Sequence, residues 1–165
     1  MDPLSQLQPG WRSLVWGVLA TAPLLFALTW ILQRPAGELR RLVEFVVTQL
    51  GPVLAQRSTA ELALLAALAG VGEELLFRGV VQTGLGRVLP APLDLLAASS
   101  LFGLAHFATA TYAIVAGLMG LYLGTLFLAQ GTLLGPIVTH ALYDFVALLL
   151  VVRRYRRSQI PAGFE

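Results

Sequence analysis

Glu73 and Glu74 stand side by side inside an apolar run that begins near Leu62, and Arg78 follows Glu74 by four residues. Charge at membrane depth is costly, so an ionisable residue there marks a functional site by default. On a helix Glu74 and Arg78 share a face and can pair. Glu73 is rotated by about 100° from Glu74 around the same axis, which leaves it without a partner in its own segment. A carboxylate so placed is suited to accept a proton. The only two histidines, His106 and His140, also fall in apolar stretches. Phe102 precedes His106 by four residues, and Asp144 follows His140 by four. Each of these pairs therefore shares a helical face.

One carboxylate and one imidazole can hold and deprotonate a water. A second imidazole with a polar neighbour can stabilise an oxyanion as it forms. The same groups, Glu73, His106, His140 and Asp144, are also a possible zinc set with water in the remaining position. Both arrangements lead to hydrolysis by an activated water. Ser99-Ser100 has no flanking nucleophile-elbow pattern, which disfavours a serine mechanism. Each pair has a structural reading as well: an ion pair closing a helix for Glu74–Arg78, a hydrogen-bonded core histidine for His106, a structural pair for His140–Asp144. What argues against all of these at once is cost, because lipid-facing placement would be unfavourable for every one of the charged members. The groups should converge on one interior, water-filled cavity, with Glu73 within two water diameters of an imidazole.

The elements that must position them are membrane helices. The 165 residues are 57% hydrophobic and 12% charged, against about 25% charged in a soluble domain. With no cysteine, disulfides and thiolate metal sites are excluded. One domain over 1–165 suffices: a polar lead at 1–10, a first span and interfacial helix over 11–58, a four-helix catalytic core over 59–152, and a basic tail at 153–165. The expected spans are 11–32, 59–80, 93–109, 112–129 and 133–152. Ala20-Thr21-Ala22 resembles a signal cleavage site, but Pro23 follows directly, so the first span is read as retained, with a kink at Pro23. Residues 38–56 read as an amphipathic helix lying at the interface and broken by Pro52. Gly117, Gly120 and Gly124 allow a neighbouring helix to approach closely.

All 11 basic residues are arginine. With five spans and a cytoplasmic C-terminus, Arg34, Arg40, Arg41, Arg57, Arg153, Arg154, Arg156 and Arg157 share the cytoplasmic side, against Arg12, Arg78 and Arg87 opposite. That asymmetry reads as membrane orientation rather than nucleic-acid binding. The lysine-free set points to a GC-rich coding background and a bacterial plasma membrane.

Glu73-Glu74-x-x-x-Arg78, Phe102-x-x-x-His106 and His140-x-x-x-Asp144, in that order on separate helices, resemble the three motifs of the CPBP (ABI) family. This family of intramembrane proteases includes the Ras-converting CAAX prenyl endopeptidases and bacteriocin-immunity relatives. The resemblance covers roughly residues 59–152. It implies that Glu73 and His106 activate the attacking water and that His140 and Asp144 stabilise the oxyanion. It implies that Glu74 and Arg78 order the site; Phe102 reads as its wall. The best-known CAAX endopeptidases carry asparagine where this chain has Asp144. An ionised aspartate can only accept a hydrogen bond, so Asp144 is protonated, or orients His140, or serves a metal. A glutamic-type mechanism without cofactor is favoured, with zinc as the alternative. The implied partners are membrane lipid and a peptide or protein substrate that can carry a prenyl group. A non-enzymatic immunity or partner-binding role is the competing reading.

Overall fold

The computed structural model describes residues 6–7 and 10–160, and among these the chain is helical with no strand. Of the expected lead only residues 6, 7 and 10 are described, and of the expected tail residues 161–165 lie outside the described residues. Helix α1 spans Trp11–Gln33 and α2 spans Gly37–Leu54. Helix α3, Thr59–Glu74, runs directly into a π-helical segment, Leu75–Gln82, and a closing turn, α4, Thr83–Leu85. Helices α5, Leu93–Ala105, α6, Ala110–Gln130, and α7, Leu134–Ser158, complete the bundle.

Local sequence accounts for most of these boundaries. Ser58 accepts the amide of Glu61 while the Glu61 carboxylate accepts the amide of Ser58, a reciprocal cap that starts α3. The hydroxyl of Thr109 accepts the amide of Tyr112 and starts α6. Gly131, at φ +66°, ends it in the left-handed conformation that glycine adopts without strain. Three expectations need correction. Pro52 does not break α2 but lies inside its last turn, where only its own missing amide bond is lost and the amide of Ala55 still donates to the Gly51 carbonyl at 2.9 Å. The loop expected from Gln82 begins later, since helical backbone continues to Leu85. The third apolar segment does not remain helical to Thr109. It stops at Ala105, because Thr109 caps the next helix and the intervening residues must turn.

Helices α1, α6 and α7 are long and apolar enough to cross a membrane. Helix α5, with 13 residues, is apolar but shorter, about 20 Å at 1.5 Å per residue. Large apolar side chains such as Leu14, Phe26, Leu68, Leu104 and Leu118 are exposed around the bundle. A surface this greasy suits contact with lipid rather than water.

Close approach between helices is set by glycine at two places that matter for the site. A Cβ on Gly103 would lie 2.5 Å from the Ala113 carbonyl oxygen, so only glycine lets α5 fold back tightly on α6. A Cβ on Gly70 would lie 2.9 Å from the Ala141 amide, which holds α3 against α7. Thr139 donates to the Gly17 carbonyl at 2.8 Å and Tyr122 to the Ala20 carbonyl at 2.7 Å, tying α1 to α7 and α6. Leu54, Leu62 and Val152 form an apolar core where α2, α3 and α7 meet. At that same end Arg154 donates to the Leu32 carbonyl and Arg156 to the Ala55 carbonyl. The ends of α1, α2 and α7 and the start of α3 therefore lie together. Helix α7 continues through the arginine cluster to Ser158 rather than stopping with the apolar run at Val152.

Candidate functional site

The three motif pairs arrive on α3 with its π segment, on α5 and on α7. Glu74, on the last turn of α3, is fully buried. Its Oε1 accepts from Arg78 Nη1 at 2.8 Å and from His140 Nδ1 at 2.8 Å. The first contact follows from i,i+4 spacing; the second joins residues 66 apart. Arg78 donates its other terminal nitrogen, Nη2, to the Gly120 carbonyl at 2.8 Å. Its guanidinium carbon lies 4.7 Å from the centroid of the Phe102 ring. Carboxylate, guanidinium, imidazole and a helix carbonyl thus form one buried network, in which Glu74 Oε2 has no hydrogen-bond partner among the described residues. Breaking a buried pair of this kind by removing one partner costs about 3–5 kcal/mol.

The π segment carries Arg78. Its wider i→i+5 bonding interrupts the α-helical phase directly after the two glutamates. Thr83 donates to the Arg78 carbonyl at 2.7 Å, satisfying one acceptor in the widened backbone. π-bulges occur often at functional sites.

Glu73, one residue before Glu74, faces elsewhere. Its Oε2 lies 3.6 Å from His106 Nε2 and 3.8 Å from His140 Nε2. Both imidazoles are within the two water diameters that the sequence reading requires. Oε2 is buried as an atom and makes no direct hydrogen bond, although the side chain as a whole is 31% exposed. Asp144 Oδ2 lies 3.4 Å from the same His140 Nε2. The side chains of His106 and Asp144 are also partly exposed, whereas that of His140 is only 4% exposed. These groups meet at a partly open site rather than in a sealed cavity.

His106 is not inside a helix, as its apolar context suggested. It is the residue that terminates α5, with φ −100° and ψ 20°. Its Nδ1 lies 2.8 Å from the Phe102 carbonyl oxygen. A carbonyl can only accept, so Nδ1 carries a proton and donates it there, while Nε2 faces Glu73. The same argument applies to His140, whose Nδ1 faces a carboxylate oxygen of Glu74 and donates to it. Phe102, 2% exposed, packs beside both rings, at 4.5 Å from His106 and 6.0 Å from His140 between centroids. Phe77 meets it edge-on at 4.9 Å. Tyr112 meets the His106 ring edge-on at 6.1 Å.

All seven residues singled out in the sequence therefore lie in one neighbourhood. The sequence reading missed the Glu74–His140 bond, the Gly120 carbonyl, and the rings of Phe77 and Tyr112. Gly120 was visible only as a small residue on a packing face, and nothing local marks its carbonyl as an acceptor. Among the described residues no three of His, Cys, Asp and Glu converge as a metal-binding group. Nδ1 of each imidazole is committed to a protein oxygen, which turns Nε2 of both rings towards Glu73 and is also the way metal-ligating histidines are oriented.

Comparison with known proteins bears on the same stretch. A family model described as Rce1-like, type II CAAX prenyl endopeptidase Rce1-like, matches residues 55–146, which is more than half of the chain. No curated protein and no solved structure gives a significant match.

Proposed function

Since the chain belongs to the Rce1-like family of type II CAAX prenyl endopeptidases and is an integral membrane protein, we propose that it hydrolyses a peptide bond with a water held between Glu73 and His106. The observation that carries this reading is the pair of distances from Glu73 Oε2, 3.6 Å and 3.8 Å, to the Nε2 atoms of two histidines from two other segments. Both exceed a direct hydrogen bond, and a water about 2.8 Å from each partner would bridge them.

His106 Nε2 holds one hydrogen of that water while Glu73 takes the other proton as the water oxygen attacks the scissile carbonyl, and Glu73 then passes that proton to the leaving amine nitrogen as the C–N bond breaks. His140, held by Glu74 on its Nδ1 side, turns Nε2 to the same point. When Nε2 carries a proton it donates to the oxyanion that forms. Asp144 Oδ2, 3.4 Å from that atom, keeps the proton there. Glu74 and Arg78 are positioning residues, acting through His140 and through the α6 backbone. The mechanism is glutamic-type and runs through these side chains without a metal.

The substrate we assign is a peptide presented by the membrane, and a prenylated C-terminal CAAX peptide is the first to test. We further assign α3 with its π segment, and α5, as two more crossings beside α1, α6 and α7, with α2 at the interface. The shared end of Arg57, Arg153, Arg154 and Arg156 supports a cytoplasmic C-terminus; a bacterial plasma membrane is the assigned location.

The test compares wild type with Glu73→Ala, purified and reconstituted, on prenylated and unprenylated peptides. Cleavage by wild type alone, unchanged by a zinc chelator, is the expected outcome. Equal turnover by both proteins would refute the assignment of Glu73. Loss to the chelator with recovery on adding zinc would replace the glutamic mechanism with a metal one.

A further inference from the structure

Away from the motif residues, a cavity of about 330 Å³ opens between the start of α3 and the last turns of α7. Arg57, Arg153, Arg156 and Arg157 line it, and Leu62 and Leu149 are among its apolar walls. Arginines at a membrane boundary set orientation whether or not anything binds them. Two observations go further here. The guanidinium groups come from two elements and surround one concave space with a greasy wall. Among the described residues, the guanidinium groups of Arg153 and Arg157 make no hydrogen bond or ion pair, while Arg57 faces Glu61 at 3.6 Å and Arg156 donates to the Ala55 carbonyl at 3.0 Å. Glu61 is the one acid paired to the set, so its balance is strongly positive. Arg154, on the other side of α7, is turned away towards the Leu32 carbonyl.

We propose that this cavity binds the headgroup of an anionic phospholipid. The phosphate takes the planar donors of Arg153 and Arg157, which match phosphate oxygens in pairs. An acyl chain lies along Leu62 and Leu149. Basic pockets between transmembrane helices are suited to acidic headgroups, and each basic residue near an anionic surface adds to the attraction. The greasy wall separates this ligand from a free anion, which has no use for it. The site is independent of the catalytic reading, since no residue in it belongs to the hydrolytic set.

The experiment titrates a short-chain phosphatidylglycerol, and phosphatidylcholine as its uncharged counterpart, against the full chain in neutral detergent, with bound lipid counted by native mass spectrometry. Wild type should prefer phosphatidylglycerol, and the double variant Arg153→Gln with Arg157→Gln should bind it roughly 30-fold more weakly. Arg34→Gln with Arg41→Gln removes the same charge from the same end outside the cavity and should change binding only a few-fold. Equal losses in both double variants would mean a diffuse field and overturn the site. Displacement of the lipid by millimolar inorganic phosphate would make it a free-anion site and overturn the lipid assignment. Leu149→Trp fills the wall without altering charge, so it decides the matter if the arginine variant fails to fold. Loss of binding supports the cavity, and undiminished binding sinks it.

Discussion

Glu73 and Glu74 are neighbours in the chain and sit in opposite surroundings. Glu74 is sealed, and one of its oxygens takes two charge-assisted bonds at 2.8 Å. Glu73 is partly open, and its nearest ring nitrogens stand at 3.6 Å and 3.8 Å. The difference arises from helix rotation: about 100° per residue turns one carboxylate into the α3–α7 contact and the other towards the end of α5. It teaches how one dipeptide can divide its labour. A buried carboxylate whose one oxygen takes two charge-assisted bonds fixes its neighbours. A loosely held one can exchange protons with a water while the scaffold stays in place.

The largest effect that would test this division is on rate. Glu73→Gln and His106→Gln should each lower peptide hydrolysis by about 10²–10⁴-fold while leaving thermal unfolding in detergent nearly unchanged. A large loss of stability in either would move that residue to the sealed side of the comparison. Next comes Glu74→Ala, which strands Arg78 and His140 without their shared partner. It should lower unfolding stability by about 3–5 kcal/mol, read from denaturant or thermal curves. A Glu74 variant that is stable yet inactive would instead give Glu74 a direct part in the reaction.

Gly103→Ala probes the scaffold alone. The added methyl would meet the Ala113 carbonyl at 2.5 Å, and overpacking of this kind costs about 1–3 kcal/mol. Its unfolding midpoint should fall, and activity at low temperature should survive. The smallest effect is expected from Asp144→Asn. His140 is oriented through Nδ1 by Glu74, and asparagine can still accept from Nε2. Hydrolysis should therefore stay within about tenfold of wild type, the scale of one neutral hydrogen bond. A complete loss would show that the charge of Asp144 is required at Nε2.

The i,i+4 relations of Glu74 with Arg78 and of His140 with Asp144 could be read from spacing, because both members ride the same helix and the period is known. So could the stacking of Phe102 and His106. The place of His106 could not. Hydropathy runs through Ala105, Phe107 and Ala108 without a dip, so the end of α5 has no compositional mark, and Thr109 shows its capping role only once the turn is seen. The π segment was likewise hidden, since Leu75 to Gln82 reads as ordinary helix and only the backbone bonding departs.

By itself the sequence determined that the chain belongs in a membrane, which residues could do acid–base chemistry there, and which of them share a helical face, as Glu74 does with Arg78 and His140 with Asp144. Hydropathy and a 3.6-residue period encode those facts locally. Only the tertiary structure decided that Glu74 rather than Asp144 holds His140 in place, that Glu73 looks at two imidazoles at once, and that four arginines ring a greasy hollow. Such pairings depend on the relative depth and rotation of separate helices. These are set by packing contacts like Gly70 on Ala141 and Gly103 on Ala113, which join segments that carry no local record of one another.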